Sequence, residues 1–78
     1  MNNYSKIIKP NINQLINDNS NLVKKISWHL HARVNSIVDI EDIIQIGMLG
    51  LISAAQNYVP KKNATFASYA SIRIKGEI

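Results

Sequence analysis

The stretch DIEDIIQIGMLGLISAAQNY, residues 39–58, decides the fold. Asp39 opens it as an N-cap residue, and the carboxylate of Asp42 follows three residues on, where the positive end of a helix dipole favours it. Behind that start Ile40, Ile43, Ile44, Gly47, Met48, Leu51, Ile52 and Ala55 recur at the spacings that line one face of an α-helix. Ile46 and Leu49 widen the apolar face beyond what a solvated helix needs, which leaves apolar surface for a partner. Gly47 and Gly50 each lower helix propensity by about 1 kcal/mol, so their presence predicts the close approach of another helix. They do not form a phosphate loop, since no strand precedes them and nothing resembles GxxxxGK[ST].

Upstream, NLVKKISWHLHARV at residues 21–34 carries Leu22, Val23, Ile26, Leu30 and Val34 along one helical stripe, with Lys24, Lys25, His31 and Arg33 largely outside it. Asn35 and Ser36 then interrupt the pattern. Before this helix, Asn11 is placed to cap a short one bearing Ile12, Leu15 and Ile16, and the cluster Asn17, Asp18, Asn19 and Ser20 predicts a turn between the two. Residues 1–10 read as a frayed arm ending at Pro10, which keeps Lys9 extended. Trp28 lies off the main stripe and is expected to be partly buried against that arm.

Downstream, Pro60, Lys61, Lys62 and Asn63 break the periodicity and make a basic loop. Thr65 caps a last helix in which Phe66, Ala70 and Ile74 share a stripe. Gly76 is only near the end and no stop signal follows, so that helix reads as cut, and the sequence as a fragment. No strand-length alternation is present. The expected fold is all-α: a small bundle of three to four helices around one core, with residues 1–20 as an arm and short helix and residues 21–78 as the helical domain.

Composition narrows the function. A chain of 78 residues has room for one small domain, and 46% hydrophobic residues make a packed core feasible. Nine Lys and Arg against five Asp and Glu give a net charge of +4, which favours a polyanion: nucleic acid, with an anionic membrane as the competing surface. The absence of cysteine excludes a disulfide framework and a thiolate metal site. No secretory signal opens the chain, and the greasiest stretch, residues 43–55, falls short of the roughly 20 apolar residues of a membrane span. Cytoplasmic residence is therefore expected. His29 and His31 stand two apart and do not share a helix face, which argues against a metal pair, and no nucleophile, base and orienter come together. Neither a catalytic residue nor a cofactor is expected.

Three ordered motifs, NLVKKISWHLHARV, DIEDIIQIGMLGLISAAQNY and ATFASYASIRIKGEI, resemble region 2 of bacterial RNA polymerase sigma factors. The wording HLHAR, IQIGMLGL, QNY and YASIRIKGEI is most similar to the flagellar and motility branch. The resemblance implies a transcription initiation factor that docks on a coiled coil of the largest subunit of core RNA polymerase and holds an unpaired strand of the promoter upstream (−10) element. It places polymerase contact on Asp42 and Gln45, with Met48 and Leu49 making that contact more apolar than in primary factors. Read without the family, Asp42 is equally a capping carboxylate and Gln45 a solvated helix residue.

For DNA the resemblance implies Tyr69 as the aromatic that stacks on an extruded base and Tyr58 as a second wall of its pocket. Lys61, Lys62, Arg73 and Lys75 supply the cations that a displaced backbone needs. Phe66 is a further aromatic there, though its phase with Ala70 and Ile74 also fits core packing. Ile72 and Arg73 stand where primary factors carry paired tryptophans, with Ile72 as an apolar wedge and Arg73 as a phosphate or base contact. Val59 replaces a commonly acidic residue, so no base-specific hydrogen bond is expected from it. The alternative is a truncated interaction module that occupies the polymerase clamp, or an anti-sigma factor, without directing transcription.

Overall fold

The computed structural model describes residues 11–34, 37–60 and 63–78. The arm at residues 1–10, the break at Asn35 and Ser36, and Lys61 and Lys62 of the basic loop lie outside the described residues. Among the described residues three helices make up the fold: α1 (Ile12–Arg33), α2 (Ile40–Asn57) and α3 (Phe66–Glu77). Among the described residues no strand occurs, in keeping with the all-α bundle that the periodicity predicts.

Each helix begins at a polar cap read from the sequence. Asn11 Oδ1 accepts from the Gln14 backbone N–H at 3.1 Å, Asp39 Oδ1 from Glu41 at 3.1 Å and Thr65 Oγ1 from Ser68 at 3.1 Å. Each bond satisfies a donor that the first helical turn leaves without an internal partner.

The first helix departs from expectation. Where a turn is predicted at residues 17–20, α1 runs unbroken for 22 residues. The polar cluster bonds to the helix instead of leaving it: Asn19 Nδ2 donates to Leu15 O at 2.8 Å, and Gln14 Nε2 donates to the Asp18 carboxylate at 3.1 Å. With no Gly or Pro in the run, only weak propensities opposed the helix, and Leu15, Ile16, Leu22, Val23 and Ile26 keep one phase across the cluster.

All three helices contribute to one core. Val23 and Ile26 from α1, Leu51, Ala54 and Ala55 from α2, and Phe66, Ala70 and Ile74 from α3 are buried together. Leu51 and Ile74 are fully enclosed, each contributing about 1.5–3 kcal/mol of burial. Small residues set the spacing. A Cβ on Gly47 would lie 2.8 Å from Val23 Cγ1 of α1, and one on Gly50 would lie 2.8 Å from both Arg73 O and Ile74 Cα of α3. The two glycines therefore bring α2 against both of its neighbours, as their cost in the sequence suggests. Trp28 is 56% exposed and meets only the edge of His31 among aromatic rings of the described residues, at 5.7 Å; the arm against which its partial burial is expected lies outside the described residues.

Candidate nucleic-acid interface

The N-terminal half of α2 presents a solvent-facing strip. Asp42, Gln45 and Leu49 recur at three and four residues and are all exposed, Leu49 at 62%, with Ile46 beside them at 39%. Met48 departs from its expected place on this strip: it is only partly exposed and packs against the core. Its phase explains this, because three residues before Leu51 it falls on the buried side of the helix.

The C-terminal end of α2 and the start of α3 form a cleft of about 290 Å³ lined by Asn57, Tyr58, Val59, Ala64 and Tyr69. The rings of Tyr58 and Tyr69 stand 5.7 Å apart and are tilted by 38°. Tyr58 is held from two directions. Its hydroxyl donates to Ala64 O at 3.2 Å, and the edge of Phe66 meets its ring at 5.1 Å and 76°. Phe66 itself is only 8% exposed. It is the buttress behind Tyr58, so the core reading of Phe66 is the one its position fits, and its face is not offered to a base.

The candidates late in α3 separate onto two flanks, Ile72 and Arg73 on one and Lys75 on the other. Arg73 leans toward α2, where its Nη2 donates to Ser53 Oγ at 2.7 Å. Ile72 is 72% exposed and lines a surface hollow with Arg73, Gly76 and Glu77. Lys75 lies on the α1 side, at a groove shared with Leu22, Lys25, Ile26, His29 and Ser71. Tyr58, Tyr69 and Arg73 thus share one region of the molecule, while Lys75 faces another.

Sequence reasoning passed over Asn57, Ser53 and Val59. Ser53 and Asn57 are spaced i, i+4 at the helix end, a signal for mutual contact. Asn57 Nδ2 does donate to Ser53 O, at 2.8 Å. Val59 was discounted for lacking a hydrogen-bonding group, yet a cleft for a flat ring also needs an apolar wall. Among the described residues no group of three or more His, Cys, Asp or Glu is placed to hold a metal ion, and no helix is long and apolar enough to cross a membrane.

Comparison with known proteins places this geometry. Residues 15–78 match the family described as Sigma-70 region 2. The chain is 46% identical over 74 residues to RNA polymerase sigma factor FliA of Pseudomonas aeruginosa, covering 94% of this chain and 30% of that relative. It is 33% identical over 55 residues to RNA polymerase sigma factor FliA of Escherichia coli K12, covering 70% of this chain and 23% of the relative. Against the RNA polymerase sigma-D factor of Bacillus subtilis it is 42% identical over 38 residues, 49% of this chain and 15% of that protein. This chain therefore spans less than a third of the length of the relatives it matches. With the match running from Leu15 through all three helices and the tyrosine cleft, the chain belongs to the Sigma-70 region 2 family and falls with its flagellar branch.

Proposed function

We propose that this chain serves transcription initiation by docking on core RNA polymerase and holding an unpaired strand of the promoter upstream element. The observation that carries the reading is the cleft between Tyr58 and Tyr69, with the charge of Arg73 one helical turn beyond Tyr69. An extruded base needs an aromatic face and its backbone needs a cation, and stacking contributes about 1–3 kcal/mol per base. That energy offsets part of the cost of unpairing and shifts an opening equilibrium already present in the duplex. Nucleotide hydrolysis is not required for such a shift.

On this reading Asp42, Gln45 and Leu49 face a coiled coil of the largest polymerase subunit, and Met48 supports them from behind. Tyr69 and Tyr58 receive the base, Phe66 stiffens the cleft, and Ile72 wedges the neighbouring step. Arg73, Lys61 and Lys62 attend the phosphates beside the base, while Lys75, on the α1 flank, stands apart from that contact. The docking strip and the tyrosine cleft lie toward opposite ends of α2, which lets both partners bind at once.

The test is a pair of binding measurements. Asp42→Arg with Gln45→Ala should abolish association with core polymerase, and Tyr69→Ala should weaken capture of a single-stranded promoter oligonucleotide by the complex about tenfold. Polymerase binding indifferent to the first pair, or capture indifferent to the second change, would remove the corresponding half of the proposal.

A further inference from the structure

Arg73 follows Tyr69 by one turn of α3, so a nucleotide seated at the cleft has the guanidinium beside it. That guanidinium is biased toward one rotamer. Its Nη2 donates to Ser53 Oγ at 2.7 Å, a side-chain bond between residues 20 positions apart that ties α3 to α2. Ser53 is itself at a fixed place. Asn57, which lines the cleft, donates its Nδ2–H to Ser53 O at 2.8 Å, and the same nitrogen lies 3.5 Å from Ser53 Oγ.

The approach of the two helices makes this bond short. Gly50 is one turn before Ser53, and a Cβ there would lie 2.8 Å from Arg73 O. Without a side chain at that point, α3 comes close enough for the arginine to fold back onto α2. The chemistry of the holding group matters as much as its place. A carboxylate at residue 53 would cancel the positive charge, whereas a neutral hydroxyl orients it and leaves it whole. Among the described residues one of five guanidinium N–H donors is used, which leaves the others for a ligand. Fixing the side chain beforehand lowers the entropy lost when that ligand binds.

We propose that Ser53 is a positioning residue: it holds Arg73 so that the guanidinium receives the backbone phosphate adjoining the nucleotide seated at the cleft that Tyr58 and Tyr69 line. The assignment rests on the reading of that cleft as a single-strand site, and it adds a positioning residue to it. Phosphate is favoured over a base edge because the held guanidinium lies beside the cleft rather than lining it.

The experiment measures capture of a fluorescent single-stranded promoter oligonucleotide by this chain bound to core polymerase, across a range of salt. Ser53→Ala should weaken capture about three- to tenfold. It should also flatten the dependence of log affinity on log salt by up to about 0.7, the slope of one phosphate contact on a single strand. Ser53→Thr keeps the hydroxyl and should restore both. In an Arg73→Ala background, Ser53→Ala should have no further effect, because the two act as a unit. A purely structural Ser53 would lower thermal stability and leave the salt slope intact, which overturns the proposal. So do losses from Ser53→Ala and Arg73→Ala that add.

A second readout uses the free chain, where the guanidinium signals of Arg73 by NMR should broaden or shift in Ser53→Ala. Unchanged signals overturn the positioning role however capture turns out. A wild-type complex that captures no single strand overturns the cleft reading and the phosphate target together. Normal capture indifferent to Ser53→Ala overturns this inference alone.

Discussion

Substituting Ala at Gly50 tests the packing on which the interface depends. The new Cβ would lie 2.8 Å from Arg73 O and from Ile74 Cα, against 3.4 Å for an ordinary contact, so α3 must retreat by about 0.6 Å. Both obstacles are backbone, and a side-chain rotation does not relieve them. Overpacking of this kind costs about 1–3 kcal/mol, and a backbone obstacle belongs at the upper end. Against it stands the intrinsic preference of a helix interior for Ala over Gly, about 1 kcal/mol. The expected net destabilisation is about 1–2 kcal/mol, which for a domain of this size lowers Tm by roughly 5–15 °C.

Two companion substitutions make the test internal. At Gly47 the nearest obstacle is Val23 Cγ1 at 2.8 Å, a side-chain atom that can yield, so the loss should be smaller. At Gly76 nothing lies within 4 Å of a built Cβ, and Ala there should raise Tm by a few degrees through propensity alone. Thermal melts of the 78-residue chain followed by far-UV circular dichroism supply the ranking. The reasoning is refuted if Gly50→Ala melts at or above wild type, or if Gly47→Ala proves the more damaging of the two.

Three further changes probe other parts of the molecule. Ser27 is fully buried with no partner for its hydroxyl among the described residues, so Ser27→Ala should stabilise the chain by about 1 kcal/mol in urea titrations, and a loss of stability would reveal a partner for that oxygen. Tyr58→Phe removes the bond to Ala64 O and should cost about 0.5–1.5 kcal/mol in the same titration while keeping the ring; no change would show that Phe66 alone holds the tyrosine. Leu49→Lys replaces a side chain that is 62% exposed, so Tm should stay within a few degrees while affinity for core polymerase falls at least fivefold by calorimetry; equal affinity would take Leu49 off the docking strip.

How much was legible in the sequence differs from helix to helix. The second helix could be read almost whole, because its apolar spacing, its Asp39 cap and its two glycines all point the same way. The false turn at residues 17–20 came from reading residue types as breakers. Asn19 and Gln14 instead found partners within the helix, and the hydrophobic phase ran through without a slip. At the cleft, the aromatic residues were visible but their arrangement was not. The loop between α2 and α3 sets how the rings of Tyr58 and Tyr69 meet, and periodicity carries no information about that closure. Burial of Phe66 was readable from its stripe, whereas its service to Tyr58 was not. The bond from Arg73 to Ser53 was the hardest to foresee, since it depends on how closely two helices approach at a third residue, Gly50.

The position of both candidate surfaces on α2 gives that helix the character of a gauge. From Gln45 to Asn57 the axial rise is about 18 Å at 1.5 Å per residue, and no proline interrupts it. Because this span is hydrogen-bonded throughout and seated in the core, the separation of the Gln45 strip from the tyrosine cleft is dictated by residue count. Adding or removing one residue between Leu49 and Ser53 would alter the distance by only about 1.5 Å but swing one surface by about 100° around the axis relative to the other. Point substitutions can therefore retune either partner independently, whereas length changes within this interval uncouple the two.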